Sequence, residues 1–514
     1  MESTIPPHAP ASPCDRATRK LALLVAAVAV YLALVVPIFA QEAYYWTYAQ
    51  HLDLSYFDHP PMVAWLIWVG TAILGDGALG VRLGTVLCGL GASWASVALL
   101  RRFGGDGPAV RIWLIASLAV PMLTITRFFA TPDAPLMFGW MGAMYAVWRA
   151  RETGALRWWL LGGALAGFGL LAKYAAAFLA VGGVLVMLVD ERLRRQWFKP
   201  GPWLGVVTAA IVFSPVVVWN ARNGFESFLF QTDGRYSRGE FDAGRLAGTL
   251  GVQSALYHPL LALLLVFVVP WLVRRAVAGD VRARFLLAFG VPMPAFFLAN
   301  SLWITIKPNW FVPAFPSLLL GTVLWWRESG VAERFARSFT IARRIVIASA
   351  GLLLLAPVVH LVPIGAGSSA VGWDQVADRA EHWGQSIDAE DGVPGNVFFF
   401  CSDYRDAAQL GRNLRIEHDR RDPRQTLSPT LAQNVLGRPS LQFDHWDQPA
   451  ARTGQDAIFV LPRADQRQLQ IDEASARFGS IEKRERVVVE RFGVRLYYAD
   501  VFVCRGYRGP DPGG

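Results

Sequence analysis

The chain is short of charged residues. Asp, Glu, Lys and Arg make up 17% of its 514 residues, whereas soluble domains carry about a quarter. Hydrophobic residues make up 54%, and apolar stretches recur at about the 20-residue length that a helix needs to cross a bilayer. These features exclude an ordinary soluble enzyme and predict an α-helical polytopic membrane protein.

The chain also has few cysteines, no cleavage pattern after its first apolar run, and an excess of basic over acidic residues. The four cysteines have no metal-binding spacing, which argues against a zinc-finger-like site. No A-x-A pattern closes the first apolar run, so we interpret that run as a retained span rather than a cleaved signal peptide. The net charge of +9 comes from arginines in short loops between spans, which is the positive-inside pattern, and no nucleic-acid partner is predicted.

The apolar runs predict about eleven transmembrane helices. A cytoplasmic segment 1–20 would precede a transmembrane domain 21–363, and residues 61–75 would form an interfacial helix in the first outer loop. The arginine-rich loops would then face the cytoplasm. The eleven candidate spans are 21–40, 80–100, 109–125, 134–150, 157–172, 175–190, 202–219, 249–273, 285–302, 311–326 and 344–363.

The composition changes after Pro363, where a small-residue linker leads into a soluble-looking segment. "WDQVADRAEHWGQSI" has helical spacing, and "NVFFFCSD", "DAIFVLP" and "RLYYADVFVCRGY" are typical of strands. We therefore predict a small extracytoplasmic α/β domain over 364–514. Cys401 and Cys504 lie in two of its predicted strands, where they form either a disulfide or two buried free thiols.

Unusual polar residues collect in the loops of the predicted outer face. Ionisable residues at membrane depth are costly, so a functional site is the default interpretation. Lysine and arginine can hold a phosphate leaving group, one carboxylate can deprotonate a hydroxyl, and another can bind a divalent cation. The candidates are Glu42, Asp58, His59, Asp133, Lys173, Arg235, Arg238, His258 and Lys307.

Five motifs carry a family resemblance: "EAYYW", "YFDHPP", "TPDAPL", "LAKY" and "KPNW", in this order between apolar spans. Together they resemble the GT-C membrane glycosyltransferases, more narrowly the bacterial relatives of protein O-mannosyltransferases and of the lipid A aminoarabinose transferase. The resemblance covers roughly residues 20–330. It implies transfer of a sugar from a polyprenyl-phosphate donor, with inversion, to lipid A, another glycan or a protein, on the periplasmic side of the bacterial cytoplasmic membrane.

The resemblance also implies roles for the candidate residues. Glu42 or Asp133 would be the catalytic base, although Gln41 replaces the first acid of the pair with which such enzymes usually open this loop. Asp58 resembles a metal ligand, and His258 is a looser match to a second one, for a divalent ion such as Mg²⁺, Mn²⁺ or Zn²⁺. The donor phosphate would be held by Lys173, Lys307, His59, Arg235 and Arg238.

Simpler interpretations remain open for these residues. Glu42 could be solvated in the first turn of a helix, and Asp58 and Asp133 could cap the helices that follow them. The two lysines could extend to the headgroups, and the rings of Tyr44, Tyr45, Trp46 and Tyr48 could form an interfacial belt. A flippase or transporter of lipid-linked glycans, or a non-catalytic membrane scaffold, is the alternative function.

Overall fold

A computed structural model describes residues 15–234, 239–353, 355, 370–393, 395–421, 428–462, 467–491 and 493–510. The chain divides into two compact units. The helical unit comprises the described parts of Met1–Ala33, Asp53–Leu66 and Arg82–Leu355. The second unit comprises Leu34–Leu52, Ile67–Val81 and the described parts of Ala356–Gly514.

Helices account for nearly all of the chain as far as residue 353. Short 3₁₀ helices lie at Tyr174–Ala177 and Pro308–Ala314, and a π-helical turn lies at Phe230–Gly234. The α-helices run over Arg16–Val35, Ala40–Gln50, Met62–Leu74, Ala78–Arg102, Gly107–Ala119, Pro121–Ile125, Asp133–Thr153, Leu156–Ala172, Phe178–Val189, Glu191–Arg194, Pro200–Arg222, Glu226–Leu229, Ala243–Tyr257, Pro259–Val277, Val281–Gly290, Pro292–Asn300, Phe315–Glu328, Val331–Arg334 and Ala336–Leu353.

Five helical segments of the described chain are long and apolar enough to cross a membrane, which confirms the polytopic class. They are Arg16–Val35, Ala78–Arg102, Pro200–Arg222, Pro259–Val277 and Val281–Asn300. Shorter apolar helices lie at Met62–Leu74, Gly107–Ala119, Leu156–Ala172 and Tyr174–Val189. The count of eleven spans stays a prediction, as does the interfacial position of the helix found where 61–75 was expected.

The predicted span 249–273 is interrupted at His258. One helix ends at Tyr257 and the next begins at Pro259, and His258 between them has φ +88°. Proline has no amide hydrogen and disfavours helical geometry in the residue before it, so the break falls at this position.

A tight hairpin joins Asp133–Thr153 to Leu156–Ala172. Gly154 ends the first helix with φ +66°, a conformation that glycine adopts without strain. The two helices approach closely, because a Cβ on Gly139 would lie only 2.6 Å from the Leu165 carbonyl oxygen. The start of the first helix and the end of the second therefore lie at the same end of the hairpin.

The second unit contains a five-stranded mixed sheet. The strands are β1 (Val397–Cys401), β2 (Thr430–Leu431), β3 (Asp456–Pro462), β4 (Phe478–Arg491) and β5 (Val494–Tyr507), in the order β2-β1-β3-β5-β4. β1 pairs in parallel with β2 and β3, and β5 is antiparallel to β3 and β4. The helices of this region are Trp373–Asp391, Tyr404–Arg421, Phe443–Trp446 and Arg467–Arg477, with 3₁₀ turns at Gln433–Leu436 and Pro449–Arg452. The predicted α/β character of this segment is confirmed.

Cys401 and Cys504 are buried free thiols, so a disulfide between them is wrong. Cys401 lies on β1 and Cys504 on β5, and β3 runs between these strands. Neighbouring strands are about 4.8 Å apart, so the two Cα atoms lie beyond the reach of a disulfide. Burial raises the pKa of both thiols.

Candidate functional site

Asp133 and Lys173 form a buried ion pair in the helical unit. Asp133 is the first residue of its helix, and Lys173 follows the last residue of Leu156–Ala172, so the hairpin brings them together. Lys173 Nζ donates to Asp133 Oδ1 at 2.8 Å, and both side chains are at least nine-tenths buried. Lys173 therefore contacts a carboxylate rather than extending to the surface.

Asn309 completes this arrangement. Its Nδ2 donates to Asp133 Oδ2 at 2.7 Å, so both carboxylate oxygens accept a hydrogen bond. Pro132 is the N-cap of this helix and Asp133 is its first helical residue, so the capping interpretation of Asp133 is wrong. Sequence reasoning missed Asn309, although it belongs to the "KPNW" motif that pointed to Lys307.

A second polar group lies beside the ion pair. The Tyr174 hydroxyl hydrogen bonds Ser227 Oγ at 2.7 Å. The Asp58 carboxylate is close enough to interact electrostatically with the Tyr174 hydroxyl. Because Tyr174 follows Lys173 directly, the "LAKY" and "YFDHPP" motifs meet at one end of the helical unit.

The Asp53–Leu66 segment is tied to the rest of the helical unit. Trp219 Nε1 donates to Asp53 Oδ2 at 2.8 Å, and Gln231 Nε2 donates to the Asp58 carbonyl oxygen at 3.0 Å. The Phe57 and Phe230 rings pack with centroids 4.7 Å apart. These contacts hold the Asp58-His59 pair in place.

Asp58 and His59 lie in a turn ahead of the next helix. Asp58 is 3% exposed, and its Oδ2 lies 3.9 Å from His59 Nε2. The helix begins at Met62, four residues beyond Asp58, so Asp58 does not cap it. The two prolines keep residues 58–61 out of the helix.

His258 is buried, and its Nε2 lies 3.1 Å from Ser349 Oγ. Within the described ranges, no group of three or more His, Cys, Asp or Glu side chains could hold a metal ion. The metal roles of Asp58 and His258 stay predictions.

The other residues predicted to bind the donor phosphate do not join the buried Asp133–Lys173 pair in the described structure. Lys307 is exposed and lies directly before the 3₁₀ helix that carries Asn309. Arg235 and Arg238 lie outside the described residues. Their predicted phosphate contacts stay predictions, as does that of His59.

Two buried arginines escaped the sequence analysis. Arg127 donates to Ser93 Oγ at 3.1 Å and to the Ser117 carbonyl and hydroxyl oxygens at 2.9 and 2.7 Å. Arg82 donates to the Ala33 carbonyl oxygen at 3.0 Å. Arg127 precedes the "TPDAPL" motif by four residues, but its contacts join distant segments that no local pattern reveals.

Glu42 lies in the second unit, on the helix Ala40–Gln50. It is fully buried, and its Oε2 accepts a hydrogen bond from the Phe39 amide at 3.1 Å. The solvated interpretation of Glu42 is therefore wrong. Its catalytic role stays a prediction.

The rings beside Glu42 are internal packing residues of the second unit. Tyr44 is fully buried and packs with centroids 4.8 Å from Tyr404 and 6.1 Å from Phe443, and Tyr48 packs 5.4 Å from Trp446. An interfacial belt would expose these rings to lipid headgroups, so that interpretation is wrong. The helix after the first apolar run is instead anchored by residues from the C-terminal part of the chain.

Comparisons with known proteins show that the chain is similar to membrane glycosyltransferases. Residues 58–219 match the family described as Dolichyl-phosphate-mannose-protein mannosyltransferase. The lipid A galacturonosyltransferase RgtD of Rhizobium johnstonii is 26% identical over 56% of this chain and 59% of its own length. The undecaprenyl phosphate-alpha-4-amino-4-deoxy-L-arabinose arabinosyl transferase of Erwinia tasmaniensis is 25% identical over 66% of each chain.

The fold matches the solved structures of ArnT from Cupriavidus metallidurans. The form bound to undecaprenyl phosphate aligns with a TM-score of 0.58 and 19% identity, over 94% of this chain and 97% of that one. The apo form aligns with a TM-score of 0.59 and 17% identity over the same shares. These likenesses establish the fold.

The resemblance to the GT-C membrane glycosyltransferases that was drawn from the five motifs is confirmed. Within this class the chain is similar to the lipid A galacturonosyltransferase and to the aminoarabinose transferases. The matched regions cover 59 and 66% of those two curated relatives.

Proposed function

We propose that the protein is a glycosyltransferase that moves a sugar from a polyprenyl-phosphate donor to an extracytoplasmic acceptor. The observation that carries this proposal is the buried Asp133–Lys173–Asn309 arrangement, assembled from three of the five family motifs. A buried ion pair is a poor way to stabilise a fold, because desolvation offsets much of the attraction. Its presence in an apolar helical unit favours a functional role.

Lys173 is the proposed contact for the donor phosphate. An ammonium group has three N–H donors, and one of them is held by Asp133. The other two can bind phosphate oxygens while Asp133 fixes the position of the nitrogen. Asn309 fixes the carboxylate in turn, so the cation is pre-positioned before the donor arrives.

The proposed reaction is a single displacement at the anomeric carbon. The acceptor oxygen forms a bond to C1 as the bond from C1 to the phosphate oxygen breaks. The electron pair leaves with the polyprenyl phosphate, whose developing charge Lys173 stabilises, and the acceptor proton passes to a carboxylate base. The anomeric configuration is inverted.

Glu42 is the proposed base. Both oxygens of Asp133 already accept hydrogen bonds, and its proposed role is to position Lys173. Glu42 is the remaining acid of the acidic pair with which such enzymes usually open this loop. Gln41 stands at the first position of that pair and has no carboxylate to accept a proton. Asp133 is the alternative base.

The acceptor is proposed to be lipid A or a related glycolipid. The similar protein RgtD is a lipid A galacturonosyltransferase, which supports this choice of acceptor. The C-terminal α/β domain is proposed to help recognise the acceptor. The site is proposed to lie on the periplasmic side of a bacterial inner membrane. A divalent-ion requirement is a separate prediction that transfer assays with and without EDTA test directly.

The base assignment is tested in membranes supplied with a labelled polyprenyl-phosphate sugar. Glu42→Gln keeps the side-chain shape and removes the base, so transfer should fall by at least about 100-fold. Glu191→Gln is the matched control, because Glu191 is an exposed carboxylate paired with Arg195, and it should retain full transfer. Full activity of Glu42→Gln would reject Glu42 as the base.

A further inference from the structure

Three cations surround one buried carboxylate in the second unit. Asp500 on β5 is 1% exposed, and Lys483 Nζ lies 2.8 Å from its Oδ2. Arg486 on β4 contacts both oxygens, with Nε 2.8 Å from Oδ1 and a terminal nitrogen 3.2 Å from Oδ2. Arg467, the first residue of the helix Arg467–Arg477, forms the third ion pair. We call Arg467, Lys483, Arg486 and Asp500 the Asp500 cluster.

The charges of the Asp500 cluster do not balance. Within the described part of the chain, the ion pairs of all three cations go to Asp500, which leaves an excess of two positive charges. Lys483 and Arg486 have side chains that are 41 and 47% exposed. The carboxylate is thus enclosed, while the positive charge faces outwards.

Tyr498 fixes the orientation of the two guanidinium groups. The Arg486 guanidinium carbon lies 4.2 Å from the Tyr498 ring centroid, and that of Arg467 lies 5.1 Å from it. Arg486 also faces Asp500 directly in the β4–β5 ladder. Held arginines lose less entropy when they bind a ligand, so these contacts pre-organise the cluster.

The positive charges of the Asp500 cluster also act on one another. Burial, and then the charges of Arg486 and Arg467, lower the pKa of Lys483. Burial lowers the pKa of Arg467 as well, and Arg486 adds to the effect. An arriving anion would relieve this repulsion.

Other ion pairs on β4 have a different composition. Glu485 pairs with Arg379 at 2.8 Å, and Glu482 pairs with Arg484 at 2.9 Å, so each carboxylate has one cation. A network built only to stabilise the sheet would need no more than this ratio. The Asp500 cluster departs from it.

We propose that the Asp500 cluster binds a phosphate group carried by the acceptor glycolipid. Arginine forks and a lysine ammonium are the groups that recognise phosphate oxygens, and Asp500 holds them together in the unbound state. The identification of the phosphate with an acceptor rests on the proposed function. The cluster would then act as an acceptor-docking site on the C-terminal domain.

The test measures binding of the full-length protein in detergent, without any sugar donor. The probes are phosphorylated lipid A and the same lipid after enzymatic dephosphorylation, with affinity read by fluorescence or native mass spectrometry. The double variant Lys483→Gln/Arg486→Gln should weaken binding of phosphorylated lipid A by about tenfold or more. Arg484→Gln, which removes a neighbouring cation that has its own carboxylate, should change affinity by less than about twofold.

The outcomes separate this inference from the proposed function. Equal affinity of wild type and double variant, or equal binding of both lipid forms, overturns the inference even if sugar transfer is observed. Equal binding to phosphatidylglycerol nanodiscs also overturns it, since that result indicates a general anionic membrane surface. Phosphate-dependent binding that the double variant loses supports it even if no transfer is detected. Unchanged thermal unfolding of the double variant excludes misfolding as the cause.

Discussion

Ion pairs at the two ends of the helical unit differ in how far their side chains are exposed. At one end, Lys173 and Asp133 form a single pair whose side chains are 9 and 4% exposed. At the other end, Asp280 and Glu328 share Arg275 and Arg282, with side chains that are 14 to 40% exposed. The first pair is buried, whereas the second group is partly solvated. A buried pair, Arg151 with Asp190, also lies at the second end, but Asp190 caps a helix there by accepting a hydrogen bond from the Leu193 amide.

Exposure and helix capping together separate the proposed functional site from loop anchors, because Asp280 and Glu328 are partly solvated and Asp190 caps a helix. Partly solvated pairs are screened by water, and each contributes little to stability. A buried pair is costly to desolvate, and removal of one partner leaves an uncompensated charge. The solvated group at residues 275–328 is explained by loop stabilisation, but the Asp133–Lys173 pair is not.

The largest expected effect comes from removal of the Lys173 cation. Lys173→Met leaves Asp133 buried without its partner, so the free energy of unfolding should fall by about 3–5 kcal/mol. Sugar transfer should be abolished, because the phosphate contact is lost. Thermal unfolding in detergent and transfer of a labelled sugar measure the two effects.

The double variant Lys173→Met/Asp133→Asn separates stability from function. It contains no unpaired charge, so it should recover most of the lost stability while transfer stays absent. Recovery of transfer together with stability would show that the pair is merely structural.

A smaller effect is expected from Asn309. Asn309→Ala removes one hydrogen bond to a charged group, which costs about 1.5–3 kcal/mol, and transfer should fall by about tenfold because the carboxylate that positions Lys173 is less constrained. Asn300→Ala is the matched control, since Asn300 donates to the Phe296 carbonyl oxygen within its own helix. Equal losses in the two variants would contradict a specific role for Asn309.

The smallest effect is expected at the solvated end, and it depends on pH. Burial alone would raise the pKa of Asp280, but its hydrogen bonds and charge interactions with Arg282 and Arg275 lower it to about 2. A carboxyl pKa lowered by folding stabilises the protein above the unfolded value of about 4, and that contribution disappears as the pH falls towards 2. The difference in unfolding temperature between wild type and Asp280→Asn should therefore shrink over this window. A difference that stays constant with pH would contradict the assignment.

The sequence predicted that Asp133 and Lys173 would lie at the same end of the helical unit, but it did not predict the hydrogen bonds that they form. Apolar runs alternate across the membrane, so Asp133, at the start of one run, and Lys173, at the end of the next, had to share an end. The hydrogen bond from Asn309 could not be predicted, because the 3₁₀ geometry of Pro308–Ala314 determines where its amide points. The break at His258 was predictable from Pro259 and was missed because a continuous apolar run follows this proline.

Long-range packing accounts for the other differences. Tyr44 contacts Tyr404 and Phe443, which lie more than 350 residues away, and no local pattern encodes such a contact. The free thiols follow from strand order, since β3 separates Cys401 from Cys504 and the sequence does not specify that order. The strands β1, β3 and β5 were predictable from β-branched and aromatic runs, whereas β2, β4 and the sheet topology were not.

The central claim is most directly tested by mass spectrometry of envelope glycolipids from cells that lack the gene. We expect loss of one sugar from one acceptor, restored by the wild-type protein and by Glu191→Gln but not by Lys173→Met/Asp133→Asn. An unchanged glycolipid and glycan profile in the deletion strain, or full restoration by the double variant, would contradict the account.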